Sequence, residues 1–263
     1  MLHCHARDAL LQFEPLEHVY TVITDKRPYT SVTKWVHSHF AAFDAQRVIQ
    51  GMMRGKNWLQ SPYYGQSAEE IEAGWLLKGQ QASAAGTALH AHIENYYNQV
   101  PMNHQVPMNH QVPMNQVPMN QVPMNQVPPW LYFQNFLTTV AHLKPYRTEW
   151  MIFHEATQLA GSIDMVYEQA DGTLLIYDWK RVKELKKVAA FGLSAITPCL
   201  QHLPDTNYWH YALQLNTYKM ILEASYGKTV AGLYLVLLHP DLPNFQVCKV
   251  PFLCQELMDV LAI

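Results

Sequence analysis

The spacing of hydrophobic and polar positions changes character along this chain, and the change comes near residue 146. Up to residue 98 the spacing reads as mostly helical. The exception is a short strand over His18–Ile23, ahead of an Asp-Lys-Arg-Pro turn. Thr30 or Ser31 stands where a hydroxyl can cap a helix running through Trp35 and Phe40,. A second helix is expected over residues 43–54. Ser67-Ala-Glu-Glu opens a long third one with acids in its first turn, where the helix dipole favours them,. A break is expected near Gly86, with helix resuming to about Asn98, and a further helix covers residues 130–142. Then Arg147–Glu155, Leu159–Glu168 and Thr173–Lys180 read as three strands, Thr206–Tyr226 as a helix, Val230–Leu238 and Phe245–Val250 as two more strands, and residues 252–262 as a closing helix. This order predicts a mixed α/β (α+β) domain with helices packed on a sheet.

One stretch fits neither spacing. Residues 99–125 hold five copies of Gln-Val-Pro-Met-Asn, two of them followed by a histidine, and a partial copy runs to Pro129. A proline in every unit forbids both a continuous helix and a central strand, and a five-residue unit is too short for a solenoid. The tract 99–129 is expected to be an extended, mostly disordered insertion. It divides a helical part, residues 1–98, from residues 130–263, and the two parts are expected to form one domain. The repeat methionines with His104 and His110 offer soft-metal ligands, but a slipped repeat without function explains them as well.

Composition narrows the class. A chain of 263 residues with 49% apolar and 15% charged positions can bury a sizeable core,. The net charge of -3 gives no bulk attraction for nucleic acid, so such binding needs a local basic patch,. Cys4, Cys199, Cys248 and Cys254 show no paired spacing, which points to reduced thiols in an intracellular protein,. No leader-like or membrane-spanning pattern is present, so the expectation is a soluble protein.

The chemistry concentrates in one hairpin. The segments Gly161-Ser-Ile-Asp-Met-Val-Tyr-Glu and Thr173-Leu-Leu-Ile-Tyr-Asp-Trp-Lys flank the loop Ala170-Asp171-Gly172. A three-residue loop ending in glycine fits a type I turn with that glycine left-handed. This register sets Asp164 opposite Asp178 on one face, with Lys180 two residues further along it. Ile163, Met165, Val166, Leu174, Leu175 and Ile176 make both strands apolar on both faces, as in buried central strands,. Two acids meeting there repel and are poorly solvated, and a divalent cation held by oxygen ligands (Mg²⁺ or Mn²⁺) relieves both problems. A salt-bridged Asp–Lys pair at a sheet end fits the hairpin equally well.

With their neighbours, these residues resemble the PD-(D/E)XK nuclease superfamily. Gly161-Ser-Ile-Asp164 and Asp178-Trp179-Lys180 carry the core of the resemblance. Gln214-Leu-Asn-Thr-Tyr218 is similar to the Q-x-x-x-Y helix of the RecB-like branch. Gly86-Thr-Ala-Leu-His90-Ala-His-Ile-Glu94 is similar to that branch's G-x-x-x-H-x-x-x-E helix, and the chain is also similar to exonuclease-like proteins of large DNA viruses and phages. The resemblance implies a restriction-endonuclease-like central sheet flanked by helices. It implies that Asp164, Asp178 and the Trp179 carbonyl ligate one or two Mg²⁺ or Mn²⁺ ions, with His90 as a further ligand tilting preference to Mn²⁺. Lys180 would orient the attacking water, and Glu149 would act through a water on the metal or by fixing the site. Glu155 competes with Glu149 for that role. Gln214 and Tyr218 would brace the site or touch the nucleic-acid strand.

The resemblance implies a deoxyribonuclease, an exonuclease of DNA ends or single strands in repair, recombination or replication. An RNA endonuclease of the same superfamily and a non-catalytic nucleic-acid-binding module are the alternatives. The second carboxylate is Asp rather than Glu, and a long insertion after the histidine helix departs from the pattern. Each helix pair also has a plain reading, since His90 with Glu94 and Gln214 with Tyr218 are ordinary i, i+4 neighbours. Lys180, Arg181, Lys183, Lys186 and Lys187 form the one dense basic run and are placed to meet a phosphate backbone; Lys26, Arg27, Arg54 and Lys56 can extend it. Tyr208-Trp-His-Tyr211 is read as packing, or as a platform for a base.

Overall fold

The structure is a computed structural model and describes residues 3–15, 17, 19–25, 27–100 and 128–262. His18, Lys26, His104, His110 and nearly all of the repeat tract lie outside the described residues. Eight strands join into one mixed sheet, and β5 (Leu159–Glu168) is its hub. On one edge β5 pairs antiparallel with β4 (Lys144–His154) along its whole length. Two strands share the other edge. β3 (Pro28–Ser31) runs parallel to β5 at Leu159 and Ala160, and β6 (Leu174–Lys180) pairs antiparallel from Met165 to Glu168. Residues 161–164 therefore border a notch between β3 and β6, with no ladder partner on that edge among the described residues. β7 (Val230–Leu237) continues the sheet in parallel from β6, and β8 (Gln246–Val250) closes it. At the far end β1 (Leu11–Glu14) and β2 (Val19–Val22) meander into β3.

Alternation along β5 and β6 sends apolar side chains to both faces, so each face needs a cover. Ile163, Val166, Leu174 and Ile176 pack under α1 (Val32–Ser38) and α5 (Asn207–Tyr226). Met165, Tyr167, Leu175, Tyr177 and Trp179 pack under the last turns of α3 (Ala68–Tyr97) and under α4 (Pro128–Thr139). Trp130, Phe133 and Phe136 of α4 are fully buried there, and Phe133 and Phe136 meet the Trp179 ring edge to face. Burial of each such ring stabilises by about 2–3 kcal/mol. Two further helices, α2 (Ala45–Met53) and α6 (Cys254–Leu261), flank the body. No helix among the described residues is long and apolar enough to cross a membrane. All four cysteines are free thiols.

Most predicted elements stand within a few residues of their expected bounds. Ser31 is the cap of α1, its Oγ accepting from the Lys34 N–H, and Ser67 with Glu70 forms a capping box on α3. Two expectations need correction. The helix does not break at Gly86: α3 is continuous from Ala68 to Tyr97. A mid-helix glycine costs about 1 kcal/mol, too little to interrupt a helix capped at one end and packed at the other. The first 98 residues are also less helical than expected. Only the strand over His18–Ile23 was anticipated, whereas β1 and β3 are strands too.

After α3 the chain turns at Gln99, a left-handed residue, and Val100 N–H donates back to the Asn95 carbonyl. Beyond the tract, α4 returns against the same helix end, with Tyr97 6.0 Å from Phe133 and Tyr96 6.1 Å from Trp130 between ring centroids.

The N-terminal segment is latched to β4 through Asp8, with Arg7 on the Phe153 carbonyl and Arg147 on the His3 carbonyl beside it. Asp8, in the 3-10 helix Ala6–Leu10, accepts from Arg147 Nη1 at 2.7 Å, Trp150 Nε1 at 3.3 Å and the His5 N–H at 2.7 Å. Arg147 is only 4% exposed and stacks over Trp150. Removing a partner from a buried charge costs more than forming the pair gained. Asp8→Ala is expected to lower stability by about 2–3 kcal/mol in urea denaturation; a loss below about 0.5 kcal/mol would show that Arg147 does not depend on Asp8.

Candidate active site

The centre starts from the β5–β6 turn. Gln169 N–H donates to the Thr173 carbonyl at 2.9 Å, Gly172 N–H donates to Gln169 at 3.0 Å, and Gly172 is left-handed at φ +80°. The predicted three-residue loop is therefore present. It pairs Met165 with Tyr177, which sets Asp164 across from Asp178 one step on. There the ladder gives way to side-chain chemistry. Asp164 Oδ2 accepts the Trp179 backbone N–H at 2.8 Å, so the carboxylate takes over a donor that strand pairing has released. Asp178 is buried at 2% exposure. Lys180 Nζ lies 2.6 Å from Asp178 Oδ2, a buried ion pair.

The last third of α3 brings His90 over this end of the hairpin. His90 Nε2 is 3.0 Å from the Trp179 carbonyl oxygen. A carbonyl only accepts, so Nε2 carries the proton, and in the neutral ring Nδ1 keeps its lone pair. Nδ1 faces Asp164 Oδ2 at 3.6 Å and Glu149 Oε1 at 3.9 Å. One ligand atom each from His90, Glu149 and Asp164 lies within 4.8 Å of the others.

Glu149 reaches the cluster through an unusual backbone. It sits at φ +44° between two paired residues of β4, Thr148 opposite Met165 and Trp150 opposite Ile163. A left-handed residue that is not glycine costs about 1–3 kcal/mol and persists where its surroundings enforce it. Here Ser162 Oγ donates to Glu149 Oε2 at 3.0 Å, and Thr148 Oγ1 donates to the Asp164 carbonyl at 2.8 Å. Burial, reinforced by Asp164, pushes the Glu149 carboxyl up to about 8. Burial also raises Asp178, to about 6, although Lys180 pulls it down. Burial alone would lower Lys180, but Asp178 and Asp164 outweigh it and hold the ammonium charged.

Helix α5 supplies the other wall. Gln214 Oε1 is 3.5 Å from Lys180 Nζ, and its Nε2 donates to Tyr218 Oη at 3.0 Å and to Thr33 Oγ1 of α1 at 3.3 Å. Tyr218 is buried flat against β5 at the notch. A Cβ at Gly161 would lie 2.7 Å from its Cε1, so the ring requires glycine there.

The structure thus brings His90, Glu149, Asp164, Asp178, Trp179, Lys180, Gln214 and Tyr218 together. Glu94, one helical turn past His90, is half-buried; burial raises its carboxyl, and its charge is felt at Glu149. Glu155 is elsewhere, paired with Arg7 at 2.7 Å. Of the basic run, Lys180 alone enters the cluster. Lys183 pairs loosely with Asp241 at 3.4 Å, the Lys186 N–H is held by Asn207, and Lys187 lies over Tyr208. Tyr208 is 3% exposed and is packing rather than a platform. Sequence reasoning missed Thr33, Thr148 and Ser162. Only Ser162, inside the Gly161–Asp164 segment, lay where a signal could have been sought.

A family model described as the PD-(D/E)XK nuclease superfamily matches residues 62–251, well over half of the chain. The chain belongs to this superfamily. No curated protein matches it. The superfamily match starts ahead of α3 and ends after β8, so it contains every residue of the cluster except Thr33 and leaves β1 to β3 outside. Membership makes the protein a nuclease, a hydrolase of phosphodiester bonds. The donor set of this nuclease suits a divalent cation: two acids and an imidazole lone pair converge beside the buried carboxyl of Asp178,.

Two outcomes follow for the nuclease. Gly161→Ala is expected to cost about 1–3 kcal/mol from overpacking against Tyr218, read as a lower denaturation midpoint; unchanged stability would mean that the ring moves freely. The second concerns pH in EDTA. The folded state holds a proton on Glu149 up to about 8, far above the ordinary 4.5 of the unfolded chain. Between those values Glu149 holds more proton in the folded state, so its own contribution to stability falls as pH rises,. From pH 5 to 8 the melting temperature of wild type is expected to fall relative to that of Glu149→Gln; a constant difference between the two would rule out Glu149 as a source,.

Proposed function

We propose that this protein is a metal-dependent deoxyribonuclease that degrades DNA from its ends, with a place in repair, recombination or replication. The observation that carries this reading is the convergence of the His90 Nδ1 lone pair with Asp164 and Glu149, beside the Asp178–Lys180 pair. Asp164, Asp178 and His90 hold one or two divalent ions, with the Trp179 carbonyl as a further ligand. The imidazole in the set favours Mn²⁺ alongside Mg²⁺. When bound, the ion polarises the scissile phosphate and offsets the charge that develops on it.

The residues of the chain do the rest. Lys180, kept charged by two acids, orients the attacking water and neutralises phosphate charge. Glu149, anchored by Ser162, fixes the metal side of the cluster. Gln214 ties Lys180 to Tyr218 and Thr33 and so braces α5 and α1 around the notch. Arg181 and Lys183 leave the strand end with part or most of their surface open and meet the phosphate backbone,. The order of the histidine helix, the Asp164 strand, the Asp178-Trp-Lys180 strand and the Gln–Tyr helix supports the RecB-like branch. No separate DNA-reading motif occurs in the sequence, which favours action at ends over sequence-specific cutting.

The test is digestion of end-labelled linear and closed circular DNA with Mg²⁺, Mn²⁺ or EDTA. Linear DNA should be degraded with either ion and spared in EDTA, and circles should survive. Asp178→Ala and Lys180→Ala should each lose about 10²–10³-fold in rate. Cutting that survives both substitutions would sink the site, cutting of circles would sink the exonuclease mode, and a preference for RNA would move the reading to an RNA endonuclease.

A further inference from the structure

We infer that Tyr211 is a positioning residue that holds the Lys180 ammonium in place; this rests on the proposed catalytic role of Lys180. Lysine carries its charge on a flexible four-carbon stem and presents a point charge rather than a rigid fork. Something must therefore fix where Nζ sits. Three groups surround it: Asp178 Oδ2 at 2.6 Å, Gln214 Oε1 at 3.5 Å, and the face of the Tyr211 ring, with Nζ 4.3 Å from the centroid. The lysine side chain is 15% exposed, so this surround is largely closed.

The three neighbours are not equivalent. Asp178 is the strongest, but under the proposed function its oxygens also serve the cation, and whatever charge the cation draws is lost to Lys180. Gln214 is at the limit of hydrogen-bond distance and divides itself between Lys180, Tyr218 and Thr33. An aromatic face attracts an ammonium through its quadrupole and cannot ligate a divalent ion through that face. Tyr211 is thus the one neighbour of the three whose hold on Lys180 is neither shared with the cation nor divided between Tyr218 and Thr33. Its position on α5, three residues before Gln214, puts both residues on the same helix face. The other aromatics of that turn are committed elsewhere: Tyr208 lies under Lys187, and Trp209 Nε1 donates to the Lys187 carbonyl. Lys180 lies against one face of the Tyr211 ring, which makes that face a rest for the lysine.

The test uses the full chain with linear DNA and Mn²⁺, and separately the protein in EDTA. Tyr211→Leu should lower kcat about tenfold with KM within about twofold, and Tyr211→Phe, which keeps the ring face, should recover kcat to within about twofold. If Tyr211→Leu does not fold, Tyr211→Met, closer in length and volume, replaces it. In EDTA, the melting temperatures of Tyr211→Leu, Lys180→Met and the double variant form a cycle. The double variant should lose about 2 °C less than the sum of the single losses. Additive losses in that cycle, or a raised KM with kcat unchanged, would overturn the inference. Failure of the parent reading looks different: Lys180→Met would then cut as fast as wild type, whereas an inactive Lys180→Met beside an unimpaired Tyr211→Leu sinks only the role of Tyr211.

Discussion

Negative charge confined to the buried end of two central strands is the constraint around which this structure is arranged. Asp164, Asp178 and Glu149 meet where water is scarce, and burial raises both Asp178 and Glu149. An apolar sheet tolerates such a concentration only if each oxygen is met by a donor, a cation or a proton. The protein supplies all three in part. The Trp179 N–H and Ser162 Oγ are the donors, Lys180 is the resident cation, and Glu149 holds a proton near neutrality. What is left over, the His90 lone pair facing Asp164 and Glu149, is an unfinished coordination sphere.

The shared edge of β5 is what makes room for it. Had β6 paired along all of β5, the Trp179 N–H would belong to the ladder and Asp164 would be pressed against an intact sheet. Because β3 takes the first two residues and β6 the last four, a notch opens between them. Its walls are the start of α1, which follows directly from β3, and the Gln214–Tyr218 side of α5. Gly161 lets the Tyr218 ring close the floor. The same notch explains why a segment outside the superfamily match still matters: Thr33 reaches Gln214 only because β3 is docked there.

Features governed by local chemistry were legible in the sequence. Loop length and a terminal glycine specify the turn at Gly172, and the turn specifies that Asp164 faces Asp178. Ser31 and Ser67 announced helix starts because capping is a one-turn affair. The failures share a different cause. β2, β1 and β3 are four residues each, but β2 is an unbroken Val-Tyr-Thr-Val run, whereas β1 carries Gln12 and Glu14 and β3 opens with proline. Gly86 was over-weighted because the packing that holds α3 together comes from distant residues such as Trp130 and Phe133. Glu149 and Glu155 look alike on a strand; only the left-handed turn of one and the Arg7 partner of the other separate them, and neither is written near those residues. For the same reason the supporting hydroxyl of Thr33 could not be found. The acids and the lysine were legible because their clustering violates the ordinary rule for buried strands, whereas their supports are ordinary residues made useful by the fold.

The junction between α3 and α4 has a consequence for how this protein can vary. Tyr96 and Tyr97 meet Trp130 and Phe133 ring against ring, so the chain leaves the body and re-enters it at one clamped point. Short tandem units gain and lose copies readily, and doubling a loop tied at both ends costs only about 0.6 kcal/mol. Copy number in the Gln-Val-Pro-Met-Asn stretch is therefore nearly neutral for the fold, although it lies less than two helical turns beyond Glu94,. The aromatic clamp holds the end of the histidine helix from both sides of that stretch, so His90 keeps its place over Trp179 through contacts that the stretch does not supply.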